Sequence, residues 1–189
     1  MIGARFGDVL VAAVDGDQGA FAVLWRDLQP GLLRYLQVVA PSAAEDIASE
    51  TWVDVVRGLG RFRGDERAFR SWAFTIARHR ITDWHRRVAR QLAEPLPLER
   101  LPERAAPDDP AAAAFEAAST EDALALIAEL PPDQAEVVVL RVVADLDVAQ
   151  VAAIVGKRPG AVRVLAHRGL RRLAGRLAAQ RPARGGVTR

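Results

Sequence analysis

Five prolines fall between residues 95 and 110, at Pro95, Pro97, Pro102, Pro107 and Pro110. Proline lacks an amide hydrogen and its ring clashes with the preceding turn, so neither a helix nor a central strand tolerates that density. The chain of 189 residues is therefore divided. Residues 91–118, rich in Pro and Ala and dotted with acids, read as a flexible linker between two separately patterned segments, 1–90 and 119–178. The last residues, 179–189, are too short for a further domain and read as a disordered tail.

On both sides of the linker the apolar residues recur at helical spacing, and no run demands a strand. The pattern predicts a short helix over 6–14 and a second from 18 to 28. Asp17 is its N-cap, and Ala20, Phe21, Leu24 and Leu28 share one face. Pro30 then opens a third helix carrying Leu32, Leu33, Leu36 and Val39. Ser42 and Glu45 form a capping-box pattern before a helix to Gly58, whose Ile47, Trp52, Val55, Val56 and Leu59 face a core. A long helix follows over 66–89. Beyond the linker, Leu124, Ile127 and Leu130 form one stripe, and Pro131-Pro132 starts another helix to 144. The expected fold class is all-α: two small helical domains joined by a linker.

Residues 146–173 have a finer signature. Asp147 and Gln150 are placed to cap a short helix, with Val148, Val151, Ala152 and Val155 inward. Gly156 supplies a left-handed turn, and Pro159 suits the first position of the next helix. Two helices joined by such a turn make a helix-turn-helix. In the second, Val162, Leu165, Ala166, Leu170 and Leu173 are expected inside. Arg158, Gly160, Arg163, His167, Arg168, Arg171 and Arg172 are left for duplex DNA, where the N-terminal part of such a helix enters the major groove.

Charge is partitioned along the chain. The net +2 conceals nine basic and three acidic residues over 61–90, and ten basic with no acidic residues over 156–189. Residues 1–60 and 91–130 are net acidic. Two basic blocks between acidic stretches are the footprint of a nucleic-acid binder. The first block interleaves Phe62, Phe69, Trp72, Phe74 and Trp84 with its arginines. Rings among cations suit stacked single-stranded bases, and equally suit a helix core at that spacing.

Other classes are excluded. With no cysteine, the chain has no disulfide, thiolate zinc site or thiol switch of its own. No apolar run reaches the ~18 residues of a membrane span. Asp8, Asp15 and Asp17 interrupt any leader-like N-terminus, so a cytoplasmic location is expected. No cofactor or metal is implied. Asp65-Glu66 beside arginines raises a nuclease, but no third carboxylate at helical spacing or nucleophile constellation accompanies it, so no enzyme is expected.

Four segments resemble the sigma-70 family of transcription initiation factors, in its extracytoplasmic function (ECF) subgroup. Ala44-Glu45-Asp46-Ile47-Ala48-Ser49-Glu50-Thr51-Trp52 resembles a region 2 motif. Phe69 to His79, with Asp83 and Arg86-Arg87, resembles the segment after it. Leu130-Pro131 through Leu140-Arg141, and Leu146 to Arg172, resemble region 4. Ser49 stands where Gln is usual, Ala135-Glu136 where Arg is common, His79 in place of Asn and Ala161 in place of Thr.

The resemblance implies a factor that binds core RNA polymerase and promoter DNA, with an anti-sigma partner, monomeric when free and without membrane insertion. Glu45, Asp46, Glu50 and Asp54 would face core polymerase. Arg78, His79, Arg80, Trp84, Arg86 and Arg87 would contact and open the −10 element. The helix-turn-helix would read the −35 element. The two domains need not stay apart in the free protein; they are expected to pack until core polymerase separates them. The competing reading is a helix-turn-helix regulator acting without core polymerase, which leaves residues 42–90 without a role.

Overall fold

The computed structural model describes the backbone of residues 1–93 and 114–180, and the side chains of 1–91 and 120–178. Most of the 91–118 linker and of the 179–189 tail lies outside the described residues. Among the described residues there are eight α-helices and no strand.

The first unit holds α1 (Phe6–Val14), α2 (Gln18–Val39), α3 (Ala44–Leu59) and α4 (Glu66–Ala93). Asp17 caps α2, its Oδ1 accepting the Ala20 amide at 2.8 Å. α2 is one helix where the proline pattern predicts two, and Pro30 lies inside it. The ring is exposed, while Leu24, Leu28, Leu32, Tyr35 and Leu36 are buried on both sides of it. Continuous burial of that face outweighs the ~3 kcal/mol cost of an interior proline.

Ser42 and Glu45 do not form the expected capping box. The chain enters α3 through a 3-10 turn, Pro41–Ala43, and Ala43 takes the cap position without a side-chain bond. Burial of Ala43 and Ala44 against the core sets that entry instead. Val56 is 55% exposed rather than inward; its neighbours Trp52, Val55 and Leu59 fill the buried side of α3.

α4 lies against α3 and closes the first core with Phe69, Ala73, Phe74, Ala77 and Ile81. An aromatic cluster pins its start. Phe62 stacks on Trp72 with ring centroids 5.1 Å apart, and Phe69 meets Phe6, Phe62 and Trp72 within 5.9 Å. Such pairs add ~0.5–1.5 kcal/mol each beyond area burial. The aromatic block therefore serves packing here, and Trp72 covers Gly58 of α3 so closely that a methyl group there would sit 2.6 Å from its ring.

The second unit holds α5 (Ala114–Ala128), α6 (Pro132–Val142), α7 (Val148–Val155) and α8 (Pro159–Gln180). α6 is its centre: Val137, Val138, Val139 and Leu140 are buried, and α5, α7 and α8 all pack on it. α8 contributes Val162, Leu165, Ala166 and Leu173 to the inner side. Leu170, expected inside, is 47% exposed. Gly169 takes the inward position, letting α8 approach until Val138 Cγ2 lies 2.7 Å from where a Cβ would be. The close helix crossing, which periodicity does not report, decides that register.

The two units are not separate in space. α5 and α6 lie on α2, α7 lies on α4, and the buried residues of both form one continuous core.

Candidate nucleic-acid interface

α7, the turn and α8 form the expected helix-turn-helix. Asp147 Oδ1 accepts the Gln150 amide at 2.9 Å, and Gln150 Oε1 accepts the Asp147 amide at 2.9 Å, completing a reciprocal cap. That bond to the Gln150 amide, more than any neighbouring charge, holds the Asp147 carboxyl below its ordinary range. Gly156 ends α7 at φ 65°, a left-handed conformation that glycine adopts without steric cost. The turn is short, and α8 starts at Pro159.

With Val162 at 0% exposure and Gly169 against α6, the outward surface of α8 is set. Arg158, Gly160, Arg163, His167, Arg168 and Arg171 are all exposed. Among the described residues, no carboxylate pairs with Arg158, Arg163, Arg168 or Arg171. Two cations further along are anchored: Arg172 donates to Gln134 Oε1 at 3.1 Å, and Arg176 pairs with Glu129 at 2.6 Å. Lys157 pairs with Asp133 at 3.1 Å. α8 and the turn before it thus offer Arg158, Arg163, Arg168 and Arg171 without a carboxylate partner among the described residues, while Lys157, Arg172 and Arg176 are held by neighbouring side chains.

α4 differs, because most of its cations have partners. Arg80 donates through Nε to Asp54 at 2.7 Å and makes a second, shorter contact through Nη2, with Glu50 3.5 Å away. The Asp54 bond raises the Arg80 pKa further above its ordinary value. Arg87 also reaches Glu50 at 3.5 Å. Arg86 pairs weakly with Asp83 at 3.4 Å. Arg78 donates to Glu136 of α6 at 2.9 Å. His79, Asp83, Arg86 and Arg90 form an exposed stripe, while Trp84 is half-buried beside His85, ring centroids 4.8 Å apart.

The acids of α3 divide in the same way. Glu45 and Asp46 are exposed. Glu50 and Asp54 turn toward α4 and neutralise its arginines. Sequence spacing places the acids of α3 on a face but does not reveal the face of α4 packed opposite. The sequence also offers no signal for Tyr35, which donates to the same Glu136 oxygen as Arg78 at 3.1 Å, across 101 residues of chain.

The carboxylates considered for a nuclease are occupied. Asp65 caps α4 through the Ala68 amide at 2.8 Å, and both Glu66 oxygens accept backbone amides, from Ile2 and Gly3, at 2.7 and 2.9 Å. Among the described residues no cluster of metal ligands occurs, and none of their helices is long and apolar enough to cross a membrane.

Residues 24–91 match the family model of sigma-70 region 2, and residues 120–173 that of sigma-70 region 4. The chain is 36% identical over 180 residues to the ECF RNA polymerase sigma factor SigD of Mycobacterium tuberculosis, covering 92% of this chain and 84% of the relative. It is 35% identical to the ECF RNA polymerase sigma factor ShbA of Streptomyces griseus, covering 88% and 92%. In fold it is similar to the sigma factor RpoE solved with the anti-sigma factor NepR from Bartonella quintana, with TM-score 0.63, 20% identity and coverage of 85% and 98%. The chain belongs to the sigma-70 family of transcription initiation factors, in its ECF subgroup, and acts with RNA polymerase.

Proposed function

We propose that this sigma factor joins core polymerase through the exposed acids of α3, reads −35 duplex with α8, and engages the −10 element with the open side of α4. It would be non-catalytic itself and work in the cytoplasm. The observation that carries the −35 assignment is the row of unpaired arginines on α8, outward from a helix-turn-helix whose inner register is set by Val162 and Gly169. Arg158 and Arg163 sit where side chains of such a helix meet base edges, and Arg168, His167 and Arg171 where they meet the backbone. Arg172, held by Gln134, orients α8 rather than searching for DNA.

For the −10 element, His79 and Arg86 are the candidates free of a strong internal partner. Arg80 and Arg87 support α4 through Glu50 and Asp54, so their contribution to DNA requires those pairs to loosen. Glu45 and Asp46 remain open for a basic surface on core polymerase. An anti-sigma partner fits the same framework, because the RpoE of similar fold is solved with one. A regulator acting without core polymerase would use α7 and α8 and leave α3 and α4 idle.

The two −10 and −35 elements lie about two helical turns apart, roughly 70 Å. The 20 residues between Ala93 and Ala114 reach roughly 70 Å extended, which matches that separation once the units part. The test is promoter-dependent run-off transcription with core polymerase, using wild type, Glu45→Arg/Asp46→Arg and Arg163→Ala. Specific transcript that falls with either variant is expected. Transcript that depends on neither would refute the assignment, and repression without core binding would favour the independent regulator.

A further inference from the structure

Glu136 is the one described carboxylate that joins a candidate −10 cation to the other unit. Its Oε1 accepts from Arg78 Nε at 2.9 Å and from the Tyr35 hydroxyl at 3.1 Å. Its side chain is 14% exposed, and Tyr35 is fully buried. A carboxylate so far out of water needs charge-assisted partners, and a buried hydroxyl needs an acceptor. Both needs are met only while α6 lies on α2 and α4. The surroundings are shaped to match. Phe74 meets the Tyr35 ring edge-on at 5.6 Å, and Gly31 leaves room for the Val143 carbonyl, 3.7 Å from where its Cβ would be.

A second point of closure lies one helix away. Arg67 pairs with Asp147 at 3.0 Å, and the Arg67 carbonyl accepts from Gln150 Nε2 at 2.8 Å. Those bonds are exposed and contribute little by themselves. The Glu136 site is the more protected one.

While Glu136 holds its Nε–H, Arg78 is anchored between the units and only its Nη groups are left for a promoter phosphate or base. We propose that Glu136 is a latch that mimics the DNA anion: by taking Arg78, with Tyr35 as its second anchor, it holds the second unit on the first and withholds Arg78 from the −10 strand. Closure and −10 engagement then oppose one another. By linkage, whatever draws Glu136 away raises affinity for the strand, and the strand in turn favours the open form by the same factor. The proposal rests on reading Arg78 as a −10 contact.

The chain has no cysteine, so two introduced at exposed positions, Asp8→Cys on α1 and Ala153→Cys on α7, give a clean pair for fluorescent distance labels. In that full-length background, Glu136→Ala should lengthen the label distance and raise affinity for a short oligothymidylate single strand by at least about fivefold. The exchanged pair, Arg78→Glu with Glu136→Arg, should restore the short distance without restoring strand affinity. An unchanged distance in Glu136→Ala, or a longer one with no gain in strand affinity, overturns the latch. If Glu136→Ala loses its helical signal, the exchanged pair decides: folded but open, it overturns the proposal. A separate arm tests the underlying reading. If Arg78→Ala gives normal run-off transcription with core polymerase, Arg78 is no −10 contact, whereas the label distance still judges whether Glu136 closes the molecule.

Discussion

Replacing Gly169 by alanine tests whether close approach to α6 sets the position of α8. The new Cβ would stand 2.7 Å from Val138 Cγ2, with Leu130 Cδ1 at 3.4 Å and Gln134 Cβ at 3.5 Å. Ordinary contact starts near 3.4 Å, so the helices must part by about 0.7 Å or Val138 must turn. Val138 is 1% exposed and β-branched on a helix, which leaves it one favoured rotamer. Overpacking of this kind costs ~1–3 kcal/mol. Alanine recovers ~1 kcal/mol of helix propensity, leaving a net loss of about 1 kcal/mol at the middle of the range.

Gly175 is the internal control. It lies on the same helix with nothing within 4 Å of its Cβ position, so Gly175→Ala should gain ~0.4–1 kcal/mol. The two variants should differ by about 2 kcal/mol, or roughly 4–8 °C in melting temperature for a chain of this size. Circular dichroism melts of the full chain read this directly. DNA footprinting with core polymerase should show weaker −35 protection for Gly169→Ala although every arginine is intact. A Gly169→Ala protein as stable as Gly175→Ala would refute the close-packing argument.

Three further outcomes are expected. Arg163→Ala should cost ~1–3 kcal/mol in −35-dependent transcription and relax preference at one base; uniform loss over promoter variants would identify a phosphate contact instead. Tyr35 is the sole tyrosine, and burial, then Glu136, push its phenol well above the ordinary value near 10. A raised folded pKa leaves its stability contribution intact below about pH 10 and removes it as pH climbs toward the folded value. Tyrosinate absorbance should therefore rise late and together with loss of helical signal; reversible titration near pH 10 in an intact helix would contradict the burial. Asp147 has the opposite sign. Its lowered pKa makes its contribution full above the ordinary carboxylate range and lost as pH falls through the folded value. Acid melts of Asp147→Asn should thus be flatter than those of wild type, and parallel curves would show that the cap contributes nothing.

Much of the local chemistry was legible from the chain, the Ser42–Glu45 cap excepted. The Asp147–Gln150 cap, the left-handed Gly156 and Pro159 at the start of α8 follow from residue types within a few positions, because caps and turns are local. The same holds for Asp17 and for the all-helical class, which follows from 3.6-residue periodicity. Matters of partnership were not legible. Pro30 stays inside α2 because tertiary burial outweighs a local penalty. Gly169 rather than Leu170 faces inward because α6 comes close. Arg78, Arg80 and Arg87 read as free cations in a basic block, yet each meets a carboxylate from another helix, at Glu136, Asp54 or Glu50.

The sequence by itself thus determined that the described segments are helical, and that a helix rich in arginine follows the turn at Gly156. The tertiary structure alone decided which charges remain available. Periodicity assigns a side chain to a face of its own helix, but neutralisation depends on the face packed opposite, and that is set by contacts such as Tyr35 with Glu136, 101 residues apart.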